Sequence, residues 1–294
     1  MGVIPQCHLR EALFENENMK AYNTKSGIVL EKNGAYFGTL VENWESFIND
    51  DNLLKKANSL LTVISPIEAV RVSELLPAIG KTQELWACGV TYLRSKIGRQ
   101  EESKLSGGAD FYGKVYDAER PEVFFKANPN RIVGHQQNVR IRKDSTWDVP
   151  EPELTLVVTS SGKIVGYTIG NDMSSRSIEG ENPLYLPQAK TYDACAALGP
   201  CVLIADGPLD KNTLISLVIS REGKEVFSGT VAISQMKRKP EELVSFVFRE
   251  CSFSNGCMIM TGTGIVPPND FTLQSGDTID ISIDHIGTLT NTVL

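Results

Sequence analysis

At 294 residues the chain can bury a full core, as one large domain plus a smaller one. Charged residues at 22% and hydrophobic residues at 41% describe a globular protein, and a net charge of -7 argues against nucleic acid or an anionic membrane as partner. No apolar run reaches membrane-span length and Met1-Gly-Val-Ile-Pro-Gln lacks a signal-peptide pattern, so a cytoplasmic protein is expected. The cysteines (Cys7, Cys88, Cys195, Cys201, Cys251, Cys257) form no C-x-x-C pair and read as buried thiols, which argues against structural zinc.

Residues 1 to about 75 look like a small module. Asn33-Gly34 between residues 27–32 and 35–40 predicts a β-hairpin. Helical patches follow at 44–49 and 53–60, then a connector at 66–81, and a buried strand begins at Glu84. Residues 91–116 are rich in Arg, Lys, Glu and Gly, with Arg94, Lys96, Arg99, Glu101, Glu102, Lys104, Gly107 and Gly108. Polar helices bounded by glycines suit a lid over an active site, and a solvated surface pair explains the composition equally well. From Pro121 onward short β segments dominate, at 123–126, 132–133, 139–141, 154–158, 164–171, 201–204, 214–220, 224–230, 257–261 and 278–283. One helix interrupts, with Pro240 in its first turn, Glu241 and Glu242 at its positive end, and Leu243, Phe246 and Val247 on one face.

The stretch Trp147-Asp-Val-Pro-Glu151-Pro-Glu153 runs into the apolar Leu-Thr-Leu-Val-Val. Strand side chains alternate, so Glu151 and Glu153 point the same way. After a turn at 160–163, a second strand ends at Asp172 and returns a third carboxylate to the same edge. Three hard oxygen ligands without Cys or His suit Mg²⁺ or Mn²⁺, and a cation would cancel repulsion of several kcal/mol between desolvated like charges. A solvated strand edge with ordinary ion pairs is the competing explanation of Glu-x-Glu alone.

The order Glu151-x-Glu153, Gly166-Tyr-Thr-Ile-Gly-Asn-Asp172-Met-Ser-Ser-Arg176, Lys190, Thr261-Gly-Thr263-Gly and Leu273-Gln-Ser-Gly276-Asp277 resembles the fumarylacetoacetate hydrolase family, over about residues 85–294. The closing Ile286-Gly-Thr-Leu-Thr-Asn-Thr-Val fits its C-terminal strand. The resemblance implies a mostly β, α+β fold: a mixed β-roll catalytic domain at 79–294 with a lid at about 91–118, preceded by a small N-terminal α/β domain at 1–78. It implies a divalent metal, usually Mg²⁺, on Glu151, Glu153 and Asp172, a 2-oxo acid substrate, and a homodimer or homotetramer. Glu119-Arg-Pro-Glu122-Val-Phe-Phe-Lys126 and the segment 180–192 are similar to the branch with 2-keto-3-deoxy-pentonate dehydratases. Ser177 stands where many hydrolase members carry Asp.

That branch implies a Mg-dependent lyase removing water from a 2-keto-3-deoxy sugar acid to give a 2,5-dioxo acid. A metal there polarises the 2-oxo group and stabilises an enolate. Lys190, following an apolar, proline-punctuated segment, is the candidate base, with a pKa expected to fall toward neutrality through desolvation and a nearby cation; an exposed lysine is the alternative. Glu122, before Val123-Phe-Phe125, is the candidate acid, against a plain ion pair with Arg120 or Lys126. Thr263, Arg94 and Gly89 are candidate substrate contacts, with Lys96 also on the lid, and Arg176 is expected to orient the metal carboxylates. His8, His135 and His285 are the only histidines, and none lies between 91 and 118. Family members that hydrolyse C–C bonds are described with a lid His–Glu dyad, so its absence favours elimination. An acylpyruvate hydrolase or oxaloacetate decarboxylase, with Glu101 or Glu102 positioning water, is the rival enzyme. A non-catalytic sugar-acid-binding protein is the rival of another class.

Overall fold

The computed structural model describes residues 19–104 and 108–294. Cys7, His8 and Gly107 lie outside them. The architecture rests on an eleven-stranded mixed sheet and a five-stranded sheet packed on one apolar core. Antiparallel neighbours Pro152–Val158 and Ile164–Asp172 sit centrally, joined by the tight turn at 159–163. Ala196–Ile204 flanks them on one side and Cys257–Met260 on the other. Glu84–Gly89 runs parallel to Cys257–Met260, and Glu122–Ala127 forms the edge beyond it. Pro152–Val158 is buried along its whole length, the condition of a strand covered on both faces.

The Asn33-Gly34 hairpin forms as the sequence predicts, with Gly27–Lys32 paired to Ala35–Gly38 and both turn residues at positive φ. Met19–Thr24, which no alternation pattern announced, pairs with Gly27–Lys32 on one side and Ala196–Ile204 on the other. The N-terminal strands therefore continue the large sheet. Their core residues Met19, Ala21 and Leu30 share a cluster with Val157, Leu198 and Met258. The five-stranded sheet contains the hairpin Leu214–Arg221 and Lys224–Ala232, then Thr278–Ile283 and Gly287–Val293. Helix Pro240–Val247 starts on its proline and buries Leu243, Val244 and Val247. Beyond it, Leu93–Glu102 and Ala109–Asp117 form a helical hairpin, and Arg176–Glu181 and Leu186–Lys190 are short helices after the second central strand. None of the described helices is long and apolar enough to cross a membrane.

Candidate metal centre and active site

Strand register assembles the carboxylates. Glu151 and Asp172 exchange backbone hydrogen bonds, N–H to O distances of 3.2 and 2.9 Å, so they sit directly opposite each other. Opposed residues share a face of an antiparallel pair, and Glu153, two residues on, shares it too. One oxygen from each of the three lies within 4.8 Å of the others, and all three residues are buried. The backbone N–H of Gly262 donates to Glu153 Oε2 at 2.5 Å.

Cations surround this triad. Lys190 Nζ donates to Glu151 Oε2 at 2.7 Å, Asp172 Oδ2 at 3.2 Å and Ser174 Oγ at 2.6 Å. Lys126, fully buried on the edge strand, pairs with Asp172 Oδ1 at 2.5 Å and donates to the carbonyls of Met173 and Lys190. It thereby fixes the end of the helix that carries Lys190. Arg176 pairs with Glu102, lies 3.6 Å from Glu151 Oε1, and stacks over the Trp147 ring. Arg99 pairs with Glu179, whose carboxylate is 3.7 Å from Lys190 Nζ. Burial pushes the Glu151 carboxyl up, but Lys190, Arg99 and Arg176 outweigh it and bring it down to about 2. Burial, then Asp172 and Glu151, hold Glu153 well above the usual carboxylate range.

These residues fit a divalent cation. Six acids (Glu102, Glu122, Glu151, Glu153, Asp172, Glu179) meet four bases (Arg99, Lys126, Arg176, Lys190) in this buried cluster. Acids outnumber bases there, and hard carboxylate oxygens from Glu151, Glu153 and Asp172 converge at its centre.

The triad opens on a small cavity of about 10 Å³, room for about one ion or water. Lys190, Gly89, Thr263, Ser95, Arg99 and Phe124 share its wall with the triad. Glu122 approaches from the edge strand. Its Oε2 is buried without a hydrogen-bond partner, and a Cβ on Gly89 would collide with it. Burial raises its carboxyl above the usual range, with Arg99 pulling it back. The plain ion pair with Arg120 or Lys126 is absent: Arg120 stacks over Phe246 and Lys126 is engaged by Asp172. Thr263 Oγ1 accepts from the N–H of Ile265 at 3.2 Å, closing the Gly-flanked turn.

Among the carboxylates alone, Lys190 does not drift toward neutrality. Burial presses it that way, but Asp172, Glu151 and Glu179 outweigh burial and raise its pKa. Arg94 does not line the cavity; it pairs with Glu101 at 3.7 Å on the outer side of its helix, as Lys96 does with Asp117 at 3.1 Å. Arg99, five residues further on, is the arginine of this helix at the cavity. The helix turns Ser95, Gly98, Arg99 and Glu102 inward while Leu93 and Ile97 face out, so a solvated surface pair is overturned. Arg99, Lys126 and Glu179 were not read as site residues, and Glu102 entered only as a residue positioning water in the rival hydrolase reading. The i, i+3 spacing of Arg99 and Glu102, mirrored by Arg176 and Glu179, was the available signal.

A family model described as fumarylacetoacetate (FAA) hydrolase C-terminal matches residues 108–294. The chain belongs to the fumarylacetoacetate hydrolase family. Within it, the chain is 51% identical over 72% of each chain to a probable 2-keto-3-deoxyxylonate dehydratase of Haloferax volcanii. It is 46% identical, over 70% of each, to the 2-dehydro-3-deoxy-D-arabinonate dehydratase of Saccharolobus solfataricus. A solved 2-keto-3-deoxy-D-arabinonate dehydratase, complexed with magnesium and 2,5-dioxopentanoate, superposes with a TM-score of 0.79 at 34% identity, covering 94% of this chain and 98% of that one.

Proposed function

We propose that this family member is a magnesium-dependent dehydratase that converts a 2-keto-3-deoxy pentonate into a 2,5-dioxo acid. The observation carrying this reading is the cavity itself, lined by three carboxylates and a buried lysine, with the unpartnered Glu122 Oε2 beside them. Glu151, Glu153 and Asp172 would hold Mg²⁺, or Mn²⁺ by the same donor chemistry, and the ion supplies Lewis-acid polarisation of the 2-oxo group. Lys190 faces the space between Glu151 and Asp172 and takes the C3 proton. Those carboxylates are the groups that hold it as ammonium, so its proton affinity drops when their charge is engaged elsewhere. Lys126 and Ser174 keep the amine aimed. Glu122, biased toward its neutral form by burial, donates a proton as the C4 hydroxyl leaves as water. The 5-hydroxy-2-oxo-3-enoic acid so formed becomes the 2,5-dioxo acid by a further proton shift, from C5 to C3, and ketonisation of the C4–C5 enol. Gly89 leaves space for that carboxyl, and Thr263 and Arg99, on the cavity wall, would meet the acid's anionic end.

No described histidine lines the cavity, which favours elimination over the hydrolytic alternative. The test is product formation from 2-keto-3-deoxy-pentonates with Mg²⁺, with and without chelator. A chelator-sensitive 2,5-dioxo acid is expected. Lys190→Met should abolish turnover, a loss of at least about 100-fold, while still binding Mg²⁺. Normal turnover in that variant would overturn the assignment of the base.

A further inference from the structure

Helix Leu93–Glu102 is fastened over the cavity by charges rather than by apolar packing. Arg99 and Glu102 stand one turn apart on its inner face, and Arg176 and Glu179 stand one turn apart on helix Arg176–Glu181. The two pairs exchange partners, Arg99 with Glu179 and Arg176 with Glu102, and all four side chains are buried. Of the partners on the lower helix, Arg176 touches the triad directly and Glu179 reaches it through Lys190. Arg176 reaches Glu151 Oε1 at 3.6 Å, and Glu179 reaches Lys190, which bonds Glu151 and Asp172.

We infer that Glu102 is a positioning residue which, through Arg176, keeps Glu151 available to a divalent cation, so that seating of this helix and metal binding are one coupled equilibrium. The inference rests on the metal reading of the triad. Arg176 lies closer to Glu102 than to Glu151. Without the Glu102 charge, the guanidinium has Glu151 as its remaining acidic partner and competes there with the cation. Conversely, a cation that engages Glu151 leaves Arg176 to Glu102 and draws the helix down. Linkage makes the two effects equal in size.

The experiment compares the full chain with Glu102→Gln and with Glu101→Gln, the neighbouring acid that pairs only at the surface with Arg94. Mg²⁺ alone is titrated into chelator-stripped protein by calorimetry, and amide hydrogen exchange is followed over 93–102 with and without Mg²⁺. Loss of an outer carboxylate that orients a metal ligand is expected to weaken Mg²⁺ binding about tenfold in Glu102→Gln and to leave Glu101→Gln unchanged. In the wild type, Mg²⁺ should slow exchange over 93–102, and Glu102→Gln should lose that protection by the same factor. Arg176→Lys tests the relay from its other side if Glu102→Gln fails to fold. It keeps the charge but not the two-armed reach, and it should weaken Mg²⁺ similarly. Equal Mg²⁺ affinity in wild type and Glu102→Gln, or exchange indifferent to Mg²⁺, would overturn the inference while leaving the metal site standing. Wild-type protein that binds no Mg²⁺ would overturn both.

Discussion

Gly89 and Gly262 are positions where the site has no room for a side chain. A Cβ at Gly262, at φ +92°, would strike Thr91 Oγ1, and the Gly262 N–H is the donor that fixes Glu153. At Gly89 the collision is with the Glu122 carboxyl. Gly89→Ala therefore displaces the proposed acid without touching the triad. Steady-state kinetics should show turnover reduced about 100-fold or more, with Mg²⁺ affinity within about twofold of wild type. The triad was legible because strand alternation and one tight turn are enough to bring Glu151, Glu153 and Asp172 to one edge. The lysine's protonation was not, because it depends on three carboxylates that approach from separate segments.

At the scale of elements, the helical hairpin over the cavity is held at both ends by one short segment. The N–H of Lys237 donates to the carbonyl of Thr91, and Met236 bridges Tyr92. Lys237 Nζ donates to the carbonyl of Tyr116 at 2.6 Å and to Asp117 at 2.8 Å. Arg238 donates to the carbonyls of Glu119 at 2.9 Å, Ala118 at 2.5 Å and Val115 at 3.3 Å, satisfying the end of helix Ala109–Asp117. Arg238→Met leaves those carbonyls without a donor. It should lower stability by about 1–3 kcal/mol in denaturant melts and speed hydrogen exchange through 109–117. Unchanged exchange there would show that the helix is held by other contacts. The sequence presented this hairpin as polar and glycine-bounded but did not say which face turns inward. An inward stripe of charge reads, in one dimension, like an outward one.

Across the whole molecule, one buried acid outside the metal cluster predicts a pH dependence. Burial lifts Asp148 from an ordinary 3.8 to about 6, against opposing help from Ser145 and Arg142. Between those values the folded chain holds a proton that the unfolded chain has released. The contribution is fully present below about pH 3.8 and is lost as pH rises through about 6, after which the charged group is a cost. Asp148→Asn should accordingly melt higher than wild type at pH 8, by about 1 kcal/mol or a few degrees, with the gap closing toward pH 4. A gap that widens on acidification would reverse the assignment.

What the sequence determined by itself is local: the strand that carries Glu151 and Glu153, the return to Asp172, the Asn33-Gly34 hairpin and the Pro240 helix start. Each follows from alternation, turn chemistry or capping within a few residues, and the ordered motifs were enough to indicate the family. The tertiary structure alone decided that Met19–Thr24 continues the large sheet and that Lys126 crosses from the edge strand to Asp172. It also decided that Arg99 rather than Arg94 meets the cavity and that Arg176 is shared between Glu102 and Glu151. These are pairings of charges and strand edges far apart in the chain. Coulomb attraction and backbone hydrogen bonding act through space, so only the folded arrangement says which of many available partners is near.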